Sequence, residues 1–322
     1  MHDLLWALIR AGLVIAAGLF LLWLFLAQPT WQRAPRSSQQ VDPGRLRAHV
    51  EFLSSACHPR SWRHVQNLAA AADYIESTFE SIGLPVIRQA VVVGGVSYKN
   101  IIAKHRPDSG PRLVVGAHYD SWEDTPGADD NASGVAVLLE VARLTAQNRA
   151  TTHVEFVAYT LEEPPFFRTD QMGSVVHAAA LETDRIPTRG AIVLEMVGYF
   201  LDEPGSQLFP LPLLRLFYPS RGNFIAVVGH WTHGTWVKAV KSRMRGATDL
   251  PVYSIRAPSW IPGIDMSDHR SYWPHGIPAV MITDTAFYRN FAYHTRQDTA
   301  ERLDYSKMAD VARAVFSVIQ NL

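Results

Sequence analysis

The sequence predicts a single α/β domain: a mixed, largely parallel central sheet between layers of helices, a three-layer sandwich, behind one apolar N-terminal helix. Three observations predict it. Four short apolar runs, 111–119, 153–160, 190–199 and 277–283, lack the alternation of a half-exposed strand and read as strands covered on both faces. Stretches with helical spacing separate most of the strands, the order of an open α/β sheet. One apolar stretch near the N terminus is long enough to cross a bilayer. With 48% hydrophobic and 19% charged residues among 322, the chain can bury a large core.

Residues 4–27 are apolar except for Arg10, and Ala11–Ala27 is unbroken. No small-x-small cleavage site follows in "FLAQPTWQ", so residues 1–28 are expected to be an uncleaved membrane anchor rather than a signal peptide. Arg10 favours an inside N terminus, against Arg33, Arg36, Arg45 and Arg47 on the other flank. The domain is therefore expected outside the cytoplasm, periplasmic or extracellular. Residues 29–44, rich in Pro, Ser, Gln and Arg, read as a tether. The globular domain is expected over 45–322.

Helical spacing marks 45–55 and 67–83, the second closed by Gly83. Strands at 85–93 and 97–105 flank Gly94-Gly95, a hairpin signal. Strand 111–119, helix 132–147, strand 153–160, helix 172–182 and strand 190–199 follow. Strand 223–229, a helix near 233–245, strands 251–257 and 277–283 and a helix over 304–321 complete the domain. The run "LFPLPLLRLFYP" (208–219) can line an apolar pocket, pack as core or touch a membrane.

Zero net charge gives no general attraction to nucleic acid, and one cysteine, Cys57, excludes an intrachain disulfide. No G-x-S-x-G supports a serine hydrolase, and "VVVGGV" is no phosphate loop.

In open α/β sheets ligands bind beyond the carboxyl ends of strands. Residues that suit a metal stand there. His118, Asp120, Asp129 and Asp130 follow the first buried strand, Glu162 and Glu163 the second. Glu195 lies within the third, and His294 follows the last. Singly, most have ordinary explanations. Glu162-Glu163 suits a solvated loop, Asp129-Asp130 a helix cap, and His294 the surface. Glu195 is harder to dismiss, because a lone carboxylate among Val193, Leu194, Met196 and Val197 is costly to bury. Jointly they describe a cation site, since so many acids at one sheet edge repel without one.

The motifs "GAHYDS" (116–121), "PGADDNASG" (126–134), "YTLEEPP" (159–165), "VLEMVGY" (193–199), "MSDHRSYW" (266–273) and "YHTRQDT" (293–299) resemble those of a zinc peptidase family. It includes secreted bacterial aminopeptidases, glutamate carboxypeptidases and glutaminyl cyclases, and the likeness spans most of 45–322. The resemblance implies a co-catalytic pair of Zn²⁺ ions: His118 and Glu195 on one, His294 and Glu163 on the other, Asp130 bridging. It implies Glu162 as general base toward a metal-activated water, with Asp120 orienting His118. Tyr253, Asp268, His269, Tyr272 and Tyr293 are candidates for substrate or oxyanion contacts, and Asp268 with His269 suits equally a hydrogen-bonded pair that fixes a loop. Glu195 departs from the Asp of the best-known secreted aminopeptidases, and a longer carboxylate can still ligate. The expected activity is that of a metallo-exopeptidase, an aminopeptidase acting on peptides with a free N terminus. A glutaminyl-peptide cyclotransferase and a non-catalytic, receptor-like relative are the alternatives.

Overall fold

A computed structural model describes residues 2–106, 110–184 and 186–322 of the chain. Helices α1 (His2–Ala27), α2 (Pro43–Glu51) and α3 (Val65–Ser81) come first. Strands β1 (Val86–Val93), β2 (Val96–His105) and β3 (Arg112–His118) follow. Then come α4 (Gly134–Gln147), β4 (Val154–Tyr159), α5 (Gly173–Thr183) and β5 (Thr188–Glu195). The rest is β6 (Ile225–His230), α6 (Gly234–Met244), β7 (Val252–Ala257), β8 (Ala279–Thr283) and α7 (Tyr305–Gln320).

The eight strands form one sheet in the order β1-β2-β4-β3-β5-β8-β6-β7. Its centre, β4-β3-β5-β8, is parallel. The β1-β2, β2-β4 and β8-β6 pairs are antiparallel, and β6-β7 is parallel. Sequence order explains the hairpin: Gly94 and Gly95 both take positive φ, +57° and +83°, which a two-residue turn between twisted strands requires. Along β3, Leu113, Val115 and Ala117 face a core shared with α3, α4 and α7, while Val114 faces the smaller core under α5. Both faces are covered, hence the continuous apolar run.

Two features differ from expectation. The strand expected to reach Tyr199 ends at Glu195. Met196 takes a positive φ of 46°, and the backbone N–H groups of Met196, Val197 and Gly198 bond to the side chains of Asn131, Ser133 and Asp129 instead of a strand. The 29–42 stretch has neither helix nor strand, yet it is fastened rather than loose. Ala34 N–H donates to Arg245 O at 2.7 Å, Ser37 N–H donates to Ala247 O at 2.9 Å, and Arg36 grips Asp249 with two bonds of 2.6 Å.

Across the sheet from the α3–α4 core, Glu155 on β4 collects three basic groups. Arg112 of β3 lies at 3.1 Å, Lys104 of β2 at 3.2 Å and His177 of α5 at 3.5 Å. Burial alone would raise its pKa. His177, Arg112 and Lys104 overcome that and lower it to about 2. A depressed acid stabilises the fold above its unfolded pKa, near 4.5, and loses that contribution as pH falls through about 2. Glu155→Gln is therefore expected to lower stability at pH 7 by roughly 3 kcal/mol. The two unfolding curves should converge near pH 2. Equal stability at pH 7 would contradict this role.

Candidate metal centre

β3, β4 and β5 deliver their carboxyl ends to one edge. His118 is the last residue of β3 and Glu195 the last of β5. Glu162 and Glu163 lie in the loop after β4, and Asp130 lies in the irregular turn ahead of α4. His294 arrives from the loop between β8 and α7 and takes a positive φ of 56°.

These residues form two groups that share Asp130: His118, Asp130 and Glu195, and Asp130, Glu163 and His294. Nε2 of His118 is 3.4 Å from Oδ1 of Asp130 and 3.4 Å from Oε2 of Glu195. Nε2 of His294 is 3.2 Å from Oδ2 of Asp130 and 3.2 Å from Oε2 of Glu163. Each oxygen of Asp130 thus faces one histidine. Despite these separations, Nε2 of both histidines, Oδ2 of Asp130 and Oε1 of Glu163 are buried without a hydrogen-bond partner among the described residues. Donors about 2.0–2.1 Å from a tetrahedral zinc lie about 3.3 Å from one another. The spacing and the missing bonds are those of atoms aimed at a common cation, and imidazole with carboxylate suits zinc.

The electrostatics agree. Burial opposes a charge on His118, but Glu195, Glu162, Asp120 and Asp130 hold its pKa well above the usual range. Burial likewise opposes a charge on His294, yet Asp130 and Glu163 raise it to about 10. Burial and the nearby Asp130 push Glu163 up to about 7. Burial, with Glu195 and Asp268 close by, raises Glu162 well above the carboxylate range against the pull of His118. Acids crowded into a dry site resist ionising together, and a bound cation removes that conflict.

Backbone hydrogen bonds build the frame. Asp120 accepts from the N–H groups of Glu162 and Glu163, at 3.2 and 3.1 Å. It therefore fixes the Glu162-Glu163 turn; its Oδ1 is 3.5 Å from Nδ1 of His118, which meets the Asp120 carbonyl at 3.2 Å. Asp298 does the same for the other turn, one oxygen on the N–H of Asp129 and one on that of Asp130, both at 3.0 Å. Ser267 donates to Glu195 at 2.7 Å. Arg60 is fully buried and donates to the carbonyls of Tyr119, Pro126 and Gly127, tying down the loop between His118 and Asp130. Trp122 and Tyr293 stack on the His294 ring, at 5.0 and 3.8 Å. Asp298, Arg60 and Trp122 escaped the sequence reading, because contacts to backbone or to a ring leave no spacing pattern.

Two expectations change, those for Asp129 and Tyr272, and for His269 the surroundings favour the loop-fixing alternative. Asp129 is no helix cap. It is buried and accepts from Gly198 N–H and Asn290, while Asn131 takes the N–H of Gly134 at the start of α4. His269 is fully buried and bonds the Ile264 carbonyl at 2.7 Å, so it fixes a loop and cannot meet substrate. Tyr272 is also fully buried, its hydroxyl held by Tyr159 and His177. Asp268 lies buried beside the acid cluster, and burial raises it to about 7. Tyr293 and Tyr253 do line a cleft that Glu195 also borders. Its walls are largely apolar, among them Phe209, Leu214, Phe224, Ile264 and Met281.

The model of peptidase family M28 matches residues 100–319. The chain belongs to peptidase family M28. The uncharacterized protein YfbL of Escherichia coli K12 is 49% identical over 94% of this M28 chain and 95% of its own. Leucine aminopeptidase 1 of Paracoccidioides brasiliensis is 25% identical over 69% of the chain, which spans 55% of that enzyme. Among solved structures, LapB of Legionella pneumophila has a TM-score of 0.69 at 21% identity, over 87% of this chain and 72% of LapB. A Zn-dependent exopeptidase of Parabacteroides distasonis has 0.64 at 22%, over 89% and 100%. A glutaminyl cyclase of Bacteroides thetaiotaomicron has 0.64 at 21%, over 88% and 99%. At these identities the structures establish the shared α/β fold, and the family establishes a metallo-exopeptidase.

Proposed function

We propose that this chain is a membrane-anchored aminopeptidase with two zinc ions, and the observation that carries the reading is the division of Asp130 between two donor sets. His118, Asp130 and Glu195 would hold one ion; Asp130, Glu163 and His294 would hold the other. Zinc in such a pair acidifies water and polarises a carbonyl. Glu162 belongs to neither set, and its Oε2 stands 3.9 Å from Nε2 of His118. Its carboxylate accepts a proton from the attacking water as the water oxygen bonds the scissile carbonyl carbon. It returns that proton to the departing nitrogen as the C–N bond breaks. Asp120 and Asp298 keep the Glu162-Glu163 and Asp129-Asp130 turns in place throughout. Tyr293, beside His294 and on the cleft, is a donor for the developing oxyanion.

The cleft receives the N-terminal side chain, and its apolar walls favour large hydrophobic ones. Leu-nitroanilide is expected to exceed Asp-nitroanilide in kcat/KM by at least about 100-fold, since burying an unpaired carboxylate costs more than ~3 kcal/mol. Comparable rates would exclude the cleft as the side-chain pocket. Cyclisation of N-terminal Gln without hydrolysis of Leu-nitroanilide would replace the peptidase reading with the cyclotransferase one.

Support for an uncleaved anchor comes from the end of α1. Ser254 and Lys241 donate to the Ala27 carbonyl at 2.9 and 2.6 Å, and Arg256 to that of Phe25 at 2.8 Å. These carbonyls have no partner within their own helix, and groups of the catalytic domain satisfy them. A segment destined for removal has no need of such caps.

A further inference from the structure

We propose that the turn at Pro212–Leu216 sits in the membrane interface beside α1, so that the domain rests on the bilayer instead of swinging from it. The inference rests on the anchor reading above. α1 is 26 residues long with an 18-residue stretch of mean hydropathy 2.3, and spans about 39 Å at ~1.5 Å per residue. That exceeds a hydrocarbon core of ~30 Å by about two turns. Over its last turns Leu19, Leu22, Trp23 and Leu26 are half-buried, an i, i+3, i+4, i+7 face. The domain thus packs along the helix end, besides capping it, and the orientation of α1 fixes that of the domain.

The neighbour on that side is the segment 208–218. Phe217 and Trp23 line one groove, together with Trp31, Arg33 and Tyr253. Tyr218 donates to the carbonyl of Ser254, whose hydroxyl caps α1. In this segment Leu214 points inward and is 4% exposed, whereas Leu211, Leu213 and Leu216 are 42, 41 and 67% exposed. Arg215 is exposed among them, and Trp31, just past α1, is 90% exposed. Leucines flanked by Arg and Trp are the side chains that favour the boundary between acyl chains and headgroups. Through Phe217 the segment adjoins a helix that itself requires lipid, which selects a bilayer over a protein partner. Leu208, Phe209 and Leu214 of this segment also wall the apolar cleft, so the wall of the cleft would stand at the lipid surface.

The test places an environment-sensitive fluorophore on the full chain in lipid nanodiscs. Cys57 is buried, so introduced thiols label selectively. Leu213→Cys and Leu216→Cys probe the turn, and Leu13→Cys probes α1. Val92→Cys, on β1 at the far edge of the sheet, is about 33 Å from β7 at ~4.8 Å per strand. Lipids carrying a doxyl quencher near the headgroup should quench positions 213 and 216 and leave 92 bright. Quenching at 13 but not at 213 or 216 would overturn the proposal while leaving the anchor intact. A blue shift at 213 and 216 without lipid quenching would mean that protein covers them and would also overturn it. No quenching at 13 by quenchers at any depth would remove the anchor reading and the proposal with it.

Discussion

Glu162→Gln is expected to leave zinc content unchanged and to lower kcat by roughly 10²- to 10⁴-fold, with little change in KM. The amide keeps the size and much of the polarity of the side chain but cannot accept the proton from water. Because Glu162 is outside both donor sets, metal binding should survive. That separation makes the prediction informative. Loss of zinc along with activity would mean that Glu162 is a ligand, and hydrolysis near the native rate would exclude it as the base.

Asp130→Ala should have the larger effect on the centre itself. It removes one oxygen from each donor set, leaving His118 with Glu195 and Glu163 with His294. Zinc should fall from about two per chain to less than one, and activity should drop below detection, a loss of more than about 10⁴-fold. Glu195→Ala removes a ligand from one set alone and should cost one ion. Circular dichroism separates metal loss from unfolding. If Asp130→Ala lost just one ion while Glu195→Ala lost both, the sharing inferred from the two Asp130 oxygens would be wrong.

Glu195 was legible because it violates its surroundings, and the other candidates because they stand together at successive strand ends in motifs that resemble a known family. Glu195 stands at the end of an apolar strand, and His118 ends another; both stay fully or nearly buried. Their order along the chain follows from the sheet, which gathers the ends of β3, β4 and β5 at one edge. Parallel strands also made the fold readable, since burial on both faces erases alternation in a recognisable way. The frame was not legible. Asp298 and Arg60 act on backbone groups many residues away, and no sequence spacing encodes such a partner. The role of Asp129 was misjudged because an acid before a helix suits a cap by local rules, whereas its partners Gly198 and Asn290 are distant. The fastening of 29–42 and the capping of α1 by Lys241, Ser254 and Arg256 were hidden for the same reason. Composition described that stretch as a tether, and tertiary contacts made it part of the domain.

Anomalous diffraction at the zinc edge from crystals of the zinc-loaded chain tests the two-ion centre most directly. Two peaks are expected, one bounded by His118, Asp130 and Glu195 and one by Asp130, Glu163 and His294, with Asp130 contacting both. A single peak, or a pair that Asp130 does not join, would contradict it.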